Sequence, residues 1–142
     1  MARLICDMER TVAWSECDAA GISYYAKHFE WFTDSYMQFL DRHGFPYMDA
    51  FHHKGISIVT LKADSDYRRM LRPLEKITVR TALSSFTRTR LAFTYQIMKE
   101  DGELAAEGST SHAFVNESGR PINLEKHFPA LWGKLLEQFA SK

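Results

Sequence analysis

The sequence has little cysteine, no net charge and no long apolar run, and each shortage excludes a class of protein. Lysine plus arginine and aspartate plus glutamate each number 18 in 142 residues. The chain therefore lacks the basic excess that marks a nucleic-acid surface or a polybasic membrane patch. No apolar stretch is long enough to span a bilayer, and charged residues interrupt the start, where a signal peptide needs an apolar run. We expect a cytoplasmic protein with no nucleic-acid partner and no membrane insertion.

The cysteines and histidines do not predict a metal site. Cys6 and Cys17 are too few for a disulfide framework or a metal cluster. None of the six histidines lies in an H-E-x-x-H or similar pair, and His52-His53 is typical of a surface loop. Acidic residues on both sides of Cys17 raise the pKa of its thiol, which favours a packing role over a nucleophilic one.

The most informative stretch is an acid in a loop directly before a long apolar helix. Asp18 is followed by Gly21, and apolar residues at helical spacing then extend over residues 25–43. Ser23 is a possible N-cap, and Gly44 can end the helix. Because apolar residues lie on most sides of this helix, we expect it to be buried. A carboxylate beside a helix start can attack or deprotonate, while the free N–H groups there stabilise a developing negative charge.

The rest of the chain shows the alternation that predicts strands. Strands are predicted at residues 9–15, 56–67, 76–83, 90–98 and 103–115, and a C-terminal helix at residues 125–139. Asp101-Gly102 predicts a hairpin turn. The small residues Ala105, Ala106 and Gly108 leave room for a helix to pack closely on the last strand.

This order of elements predicts an α+β protein. Consecutive strands joined by short turns indicate an antiparallel sheet with one face covered by the buried helix. The length favours a single domain over residues 1–142. The uncovered sheet face and edges indicate a homodimer.

The region around Asp18 resembles the hotdog-fold thioesterases. That family carries an aspartate and, three residues later, a glycine, then Ile or Val and, two residues further, an aromatic residue; here these are Asp18, Gly21, Ile22 and Tyr24. The branch it resembles is that of the 4-hydroxybenzoyl-CoA thioesterases, with their relatives associated with the Tol-Pal system. The resemblance implies a hotdog fold, in which a curved antiparallel β-sheet wraps around a long central helix, with a short C-terminal helix.

The resemblance also implies an activity, hydrolysis of an acyl-CoA to free acid and CoA at the interface of a homodimer or of a dimer-of-dimers tetramer. The CoA thioester is the substrate, so no cofactor is expected. Asp18 would act as nucleophile or as general base, and one carboxylate is compatible with both roles. Gly21 would let the backbone approach the acyl group without a Cβ. The backbone N–H of Tyr25 would polarise the thioester carbonyl.

One departure from the family concerns the residue at the helix start. Many members carry histidine where this chain has Tyr25, and His28, three residues on, projects differently from the helix. Tyr25 is similar to the aromatic-acyl branch. It favours a 4-hydroxybenzoyl-like or other aryl-CoA substrate, with a short-chain acyl group as the alternative.

Basic residues before the fourth predicted strand are candidates for binding CoA. Arg88 and Arg90 would bind its phosphates and Thr89 would add a hydrogen bond, at the position where similar enzymes place nucleotide contacts. A solvated turn explains the same residues equally well. A second basic cluster, made of Arg68, Arg69 and Arg72, is interpreted as a solvated face.

Two further questions have alternative answers: which residues line the acyl pocket, and which carboxylate is catalytic. Ile58, Val59 and Thr60 are candidates to line an acyl pocket from the neighbouring subunit, although core packing explains the two aliphatic residues as well. Another hotdog thioesterase branch uses a carboxylate on the central helix, which here would be Glu30 or Asp34; solvent-facing charges are the preferred interpretation of both.

Two other functions within the same fold have to be weighed. The hotdog dehydratases resemble the chain in fold, but their catalytic histidine motif is missing from the Asp18 loop. A non-catalytic module that binds acyl-CoA or acyl-carrier protein is the third hypothesis, since a fold does not fix a function. The intact pair of Asp18 and Gly21 argues against it.

Overall fold

The computed structural model describes residues 4–140 and contains a five-stranded antiparallel sheet packed on one long helix. The elements are β1 (Ile5–Thr11), α1 (Lys27–Arg42), α2 (Tyr47–Ala50), β2 (Ser57–Tyr67), β3 (Lys76–Phe86), β4 (Arg90–Lys99), β5 (Leu104–Val115), α3 (Leu124–His127) and α4 (Pro129–Leu135). Their order across the sheet is β1-β3-β4-β5-β2, which leaves β1 and β2 as the edges. The predicted hotdog fold is confirmed.

The central helix α1 forms the middle of the core. Its buried residues recur at helical spacing and are His28, Trp31, Phe32, Ser35, Tyr36, Phe39 and Leu40. The ring of Phe32 stacks on Tyr95 of β4, with ring centroids 4.3 Å apart. Within residues 4–140, no helix combines the length and the hydrophobicity needed to cross a membrane.

The two ends of α1 differ in how well the sequence predicted them. At the C-terminal end Gly44 has a φ of +95°, and the next residue, Phe45, donates its N–H to the carbonyl of Leu40 at 2.7 Å. This is the Schellman arrangement that glycine permits, as predicted. The start was predicted less well, because α1 begins at Lys27 and no side chain caps it. The Ser23 hydroxyl lies against His28 instead.

The first strand begins and ends four residues earlier than predicted, since β1 is Ile5–Thr11 and the prediction was residues 9–15. A 3-10 turn over Trp14–Glu16 replaces the last residues of the predicted strand 9–15. The N–H of Ala13 donates to the Glu16 carboxylate at 2.9 Å. A side chain that bonds to its own backbone competes with the strand ladder, and the apolar–polar alternation does not reveal that competition.

The predicted C-terminal helix over residues 125–139 is divided. α3 and α4 are followed by a π-type turn, Leu136–Ala140. Pro129 lacks an N–H to continue α3 and begins α4 instead, where the missing donor costs nothing. The predicted apolar spacing is correct, since Leu131, Leu135 and Phe139 are all buried.

Gly108 determines how closely α1 packs against the sheet. A Cβ added at this position would lie 2.5 Å from Cε2 of Phe32 and 2.6 Å from the carbonyl oxygen of Asp64. Real Cβ atoms do not approach other atoms so closely, so any side chain here displaces the helix or the neighbouring strand. The prediction that small residues on the last strand admit a helix is confirmed at this position.

We predict that Gly108→Ala lowers the free energy of unfolding by about 2–3 kcal/mol, because the added methyl group overpacks the core. Gly133→Ala in α4 is the matched control, since a Cβ there meets no atom within 4 Å. It should stabilise the protein by roughly 0.5–1 kcal/mol through helix propensity. Urea unfolding measures both values, and equal effects of the two substitutions would contradict the prediction.

Candidate active site

The Asp18 loop is a short closed hairpin. An isolated bridge joins Cys17 to Ser23, and the N–H of Asp18 donates to the carbonyl of Ile22 at 3.0 Å. Asp18 is exposed, and its Oδ1 accepts the N–H of Ala20 at 2.9 Å. Its second carboxylate oxygen has no hydrogen-bond partner among residues 4–140. The loop therefore orients the carboxylate while leaving one oxygen available.

Gly21 is required by the backbone of this loop. Its φ is +77°, in the left-handed region that favours glycine, and its N–H donates to the carbonyl of Asp18 at 2.9 Å. A Cβ added here would meet no atom of the described chain within 4 Å. The space beside Gly21 is therefore open, as the expected close approach of a substrate requires.

Glu16 anchors the loop from the side of β1. Its carboxylate accepts the Nη2 of Arg10 at 2.6 Å and the indole N–H of Trp31 at 2.8 Å. The guanidinium of Arg10 also lies 5.0 Å from the centre of the Trp31 ring. Partial burial alone would raise the pKa of Glu16, but these donors, the N–H of Ala13 and the charge of Arg10 together lower it. The carboxylate is therefore ionised and ties the entry of the loop to α1.

The backbone at the start of α1 offers an unused donor. The N–H of Tyr24 donates to the carbonyl of Glu16 at 2.8 Å, and the N–H of Ser23 donates to Leu71 at 2.7 Å. The N–H of Tyr25, by contrast, has no acceptor among the described residues. Tyr25 lies just before the first residue of the helix rather than in its first turn. It directly precedes the N-cap residue Ala26, and its N–H is free among the described residues, as an oxyanion donor must be.

A cleft of about 340 Å³ opens beside this donor. Its lining residues come from the loop, from α1 and from the end of β2, and are Ile22, Ser23, Tyr25, His28, Tyr67, Arg68, Arg69, Met70 and Leu71. The hydroxyl of Tyr67 donates to the carbonyl of Tyr25 at 2.6 Å. Asp18 does not line the cleft itself, but its backbone is bonded to Ile22, which does.

Two residues of the basic cluster interpreted as a solvated face, Arg68 and Arg69, also contribute to the wall of the cleft. Arg68 and Arg69 are exposed and pair with Glu107 at 2.6 Å and Glu103 at 3.3 Å. The sequence did not indicate this position, because nothing local shows that the end of β2 returns to the start of α1.

His28 and Tyr67 are two ring-bearing cleft residues that sequence analysis did not predict as site residues. His28 is buried with Nε2 3.4 Å from the Ser23 hydroxyl oxygen, and its ring lies between Trp31 and Tyr67. The helical spacing of His28 with Trp31 and Phe32 placed it on the buried stripe, which was the available signal. Tyr67 carried no comparable signal, since it ends a strand with mostly polar neighbours.

The remaining predicted residues lie at the other end of the sheet. Ile58 is buried in the core, whereas Val59 and Thr60 are exposed on the edge strand β2. Val59 pairs with Ala113 of β5, and Tyr67 pairs with Ala106. A separation of seven residues along β5 corresponds to about 23 Å. One chain therefore does not bring these residues to the Asp18 loop.

The turn between β3 and β4 lies at the same far end. Arg90 pairs with Ala113 of β5, and Arg88 forms an exposed ion pair with Glu125 at 3.2 Å. The hydroxyl of Thr89 lies 3.5 Å from that of Thr87. We refer to Ile58, Val59, Thr60, Arg88, Thr89 and Arg90 as the strand-side group, and to Asp18, Gly21 and Tyr25 as the helix-side group.

The other acids and the thiol do not adjoin the cleft. Glu30 is exposed and pairs with Lys27 at 3.1 Å, and Asp34 is exposed as well. Partial burial, and then the charges of Asp18 and Glu16, raise the pKa of the Cys17 thiol. Within the described part of the chain, no three His, Cys, Asp or Glu side chains come close enough together to hold a metal ion.

The fold and the acid–glycine loop at the helix start define a hotdog-fold enzyme, and comparisons identify its family. The chain belongs to the thioesterase-like superfamily, which matches residues 12–137. A putative esterase of Aquifex aeolicus (strain VF5) is 30% identical over 117 residues, covering 82% of this chain and 89% of the esterase. A 1,4-dihydroxy-2-naphthoyl-CoA hydrolase of Crocosphaera subtropica is 27% identical over 109 residues, covering 75% of this chain and 80% of the hydrolase.

A solved structure extends the comparison to three dimensions. A DHNA-CoA thioesterase of Staphylococcus aureus matches with a TM-score of 0.88 and 27% identity, over 94% of this chain and 89% of that one. The predicted family, the hotdog fold and the assignment as a thioester hydrolase are therefore confirmed.

A second buried histidine connects the strand-side group to the core. His112 is fully buried, with Nε2 2.8 Å from the Thr110 hydroxyl oxygen and Nδ1 3.3 Å from that of Thr60. The Thr110 hydroxyl in turn lies 2.6 Å from that of Tyr95. Burial lowers the pKa of His112 to about 4, as it does for His28.

We predict that these two histidines make the protein less stable as the pH falls from 6.5 toward 4. The unfolded chain binds a proton at each histidine near its ordinary pKa of about 6.5, whereas the folded protein does not, so stability is complete above that pH. Each contributes a loss of about 1.4 kcal/mol per pH unit within this window. Urea unfolding between pH 7 and pH 5 measures the slope.

His112→Gln tests the assignment, because glutamine keeps hydrogen-bonding groups and removes the proton-binding site. The slope should fall to about half of the wild-type value. A His112→Gln slope equal to that of the wild type would contradict the prediction.

Proposed function

We propose that this thioesterase hydrolyses an acyl-CoA, with Asp18 acting on the thioester and the Tyr25 N–H holding the oxyanion. The observation that carries the proposal is the pairing of an oriented carboxylate with an unused backbone donor. Asp18 has one oxygen fixed by the N–H of Ala20 and one without a partner among the described residues. The donor belongs to the same short segment, whose backbone is anchored by Glu16 and Leu71.

Two routes are compatible with a single carboxylate. As a general base, Asp18 takes a proton from water, and the resulting hydroxide attacks the carbonyl carbon. As a nucleophile, Asp18 attacks the carbon itself and forms an anhydride, which water then hydrolyses. In both routes the carbonyl oxygen becomes an oxyanion that accepts the N–H of Tyr25. The C–S bond breaks as this oxyanion collapses, and CoA leaves as a thiolate. The thiolate takes up the proton held by Asp18 in the first route and the proton that water releases on opening the anhydride in the second.

An aromatic acyl group is the proposed substrate class. Tyr25, His28 and Tyr67 place three rings around the cleft, and flat aromatic groups pack favourably against such rings. The relatives from Crocosphaera subtropica and Staphylococcus aureus are named for an aromatic substrate, 1,4-dihydroxy-2-naphthoyl-CoA in the first and DHNA-CoA in the second. The rings of the cleft and the substrates of the two relatives thus support an aromatic acyl group as a class, without selecting one ring system.

The complete site is proposed to need a second copy of the chain. β2 is an edge strand, and it exposes the apolar side chains of Val59 and Leu61. An unpaired apolar edge favours the addition of another strand. If β2 pairs antiparallel with β2 of a second copy, a two-fold axis brings the strand-side group of one chain toward the helix-side group of the other. A homodimer, or a tetramer made of two such dimers, then holds two shared sites.

Within the strand-side group, Arg88, Thr89 and Arg90 would bind CoA in this arrangement, and Ile58, Val59 and Thr60 would line the acyl pocket of the other subunit. The Thr87 hydroxyl accepts the backbone N–H of Arg90 at 2.9 Å, which fixes the turn between β3 and β4. Arg88 pairs with Glu125 at the surface, where a phosphate can compete for the guanidinium at little cost. Arg88, Thr89 and Arg90 supply the cations and the hydroxyl that CoA phosphates need.

We predict that Asp18→Asn lowers turnover of a good acyl-CoA substrate by about 100-fold or more, because an amide neither accepts a proton nor attacks. Thiol release from aryl, short aliphatic and long aliphatic acyl-CoAs measures the effect. Glu30→Gln on α1 is the matched control and should keep wild-type turnover. Full activity of Asp18→Asn would refute the role of Asp18, and loss of activity in Glu30→Gln with activity kept in Asp18→Asn would assign the role to Glu30. No hydrolysis by the wild type, with CoA still bound in calorimetry, would support a binding module instead.

We predict that Leu61→Lys yields a monomer of low activity, because a charge on the edge strand opposes strand pairing between copies. Leu74→Lys is the matched control, since Leu74 is an exposed leucine outside the sheet. Analytical ultracentrifugation gives the mass, and activity is measured at the same protein concentration. Wild-type activity from a monomeric Leu61→Lys protein would exclude the shared site.

A further inference from the structure

The cleft beside the Asp18 loop contains one buried polar ring. Of its three ring side chains, Tyr25 is 61% exposed and Tyr67 is 47% exposed, whereas His28 is only 2% exposed. The imidazole lies between two other rings, with centroid distances of 5.0 Å to Trp31 and 4.7 Å to Tyr67. It is therefore held in place at the inner end of the cleft.

The hydrogen-bonding capacity of this imidazole is largely unused. Its Nε2 lies 3.4 Å from the Ser23 hydroxyl oxygen, which is longer than an ordinary hydrogen bond. Its Nδ1 is buried and has no partner among the described residues. Buried polar atoms nearly always have partners, so an unsatisfied one needs an explanation. By comparison, the buried His112 has a close partner at 2.8 Å.

The charges around His28 leave the imidazole neutral. Burial lowers the pKa of His28 to about 4, so at neutral pH the ring has one donor and one acceptor. The two arginines of the cleft wall are paired with Glu107 and Glu103. A neutral ring that both donates and accepts suits a hydroxyl group and does not suit a carboxylate or a phosphate.

We propose that His28, supported by Ser23, is a specificity-determining residue that recognises a ring hydroxyl of the acyl group. The aromatic acyl group would lie between the exposed rings of Tyr25 and Tyr67, and its hydroxyl would reach the imidazole of His28, whose Nδ1 lacks a partner while Ser23 lies against Nε2. The substrate class is thereby narrowed from aryl-CoA to hydroxyaryl-CoA. This inference rests on the proposed function, because it assumes that the cleft holds the acyl group of the thioester.

The test compares substrates that differ only in the hydroxyl group. The value of kcat/KM is measured for 4-hydroxybenzoyl-CoA and benzoyl-CoA, and for 1,4-dihydroxy-2-naphthoyl-CoA and 2-naphthoyl-CoA. We expect the wild type to prefer the hydroxylated member of at least one pair by about tenfold or more. His28→Phe should lose that preference, with the hydroxylated substrate falling about tenfold or more and the other changing less than about threefold.

Two variants serve as references for His28→Phe. His28→Gln keeps a donor and an acceptor and should retain part of the preference. His43→Phe removes a histidine at the other end of α1, where the ring lies 4.4 Å from Phe39, and should leave both the preference and the rates unchanged. Equal losses of His28→Phe on both members of each pair would assign His28 a structural role and overturn the proposal. A wild type without any preference for the hydroxylated members would do the same.

A second measurement needs no variant and so does not depend on the folding of His28→Phe. The nitrogen chemical shifts of the His28 ring are followed by NMR while 4-hydroxybenzoate or benzoate is added to the wild type. A shift with the hydroxylated acid alone is expected, and equal responses to both acids would overturn the inference. Failure of the proposed function would be seen in a different measurement. If Asp18 is not the catalytic acid, Asp18→Asn hydrolyses these substrates at the wild-type rate, and that result does not depend on His28.

Discussion

The hydrogen-bonded carboxylate of Glu16 is the interaction on which the position of the site depends. It receives Arg10 from β1, the N–H of Ala13 from the following turn and the indole of Trp31 from α1, and so joins three segments at one point. The carbonyl of the same residue accepts the N–H of Tyr24. Asp18 lies between Glu16 and Tyr24 in the chain, and both of these residues are fixed by hydrogen bonds. Its distance from the helix start is therefore set by the packing of Trp31 in the core, and the loop itself needs little rigidity of its own.

The distribution of site residues along the sheet explains why β2 is built as it is. A strand that ends a sheet is usually protected by charges or covered by another element. β2 keeps Val59 and Leu61 exposed, and its register shifts between Thr60 and Lys62. Beyond that bulge the strand carries polar residues as far as Tyr67, which bonds to the start of α1. The two halves of β2 thus differ: the first exposes the apolar side chains that would face a second copy in the proposed dimer, and the second holds the helix start of its own chain.

Sequence reasoning succeeded where the determining interactions are local. The spacing of apolar residues placed α1 and its buried stripe, and Gly44 and Asp101-Gly102 ended elements where glycine permits a positive φ. It failed where a side chain bonds to a distant partner. Nothing near Tyr67 reveals Tyr25. A local bond was missed as well: the Ala13 N–H donates to the Glu16 carboxylate where β1 was expected to continue, and the apolar–polar alternation does not show it. His28 was set aside because it follows the expected position by three residues, although the helical period already placed it on the buried face. Pro129 was a local signal that the strong apolar spacing on either side of it obscured.

The contact between Gly108 and Phe32 links two positions that are far apart in the chain. The ring of Phe32 occupies the volume that a side chain at position 108 would need, and it stacks on Tyr95 of the neighbouring strand. A larger residue at 108 would need a smaller residue at 32 and also a shift of β2, because the added Cβ would lie 2.6 Å from the carbonyl oxygen of Asp64. We expect a relative that carries a side chain at the equivalent of 108 to differ at the equivalent of Phe32 as well. Such paired changes would appear as covariation between positions 32 and 108 in an alignment of the family. The sizes of the two residues would then indicate how closely the helix packs against the sheet in each member.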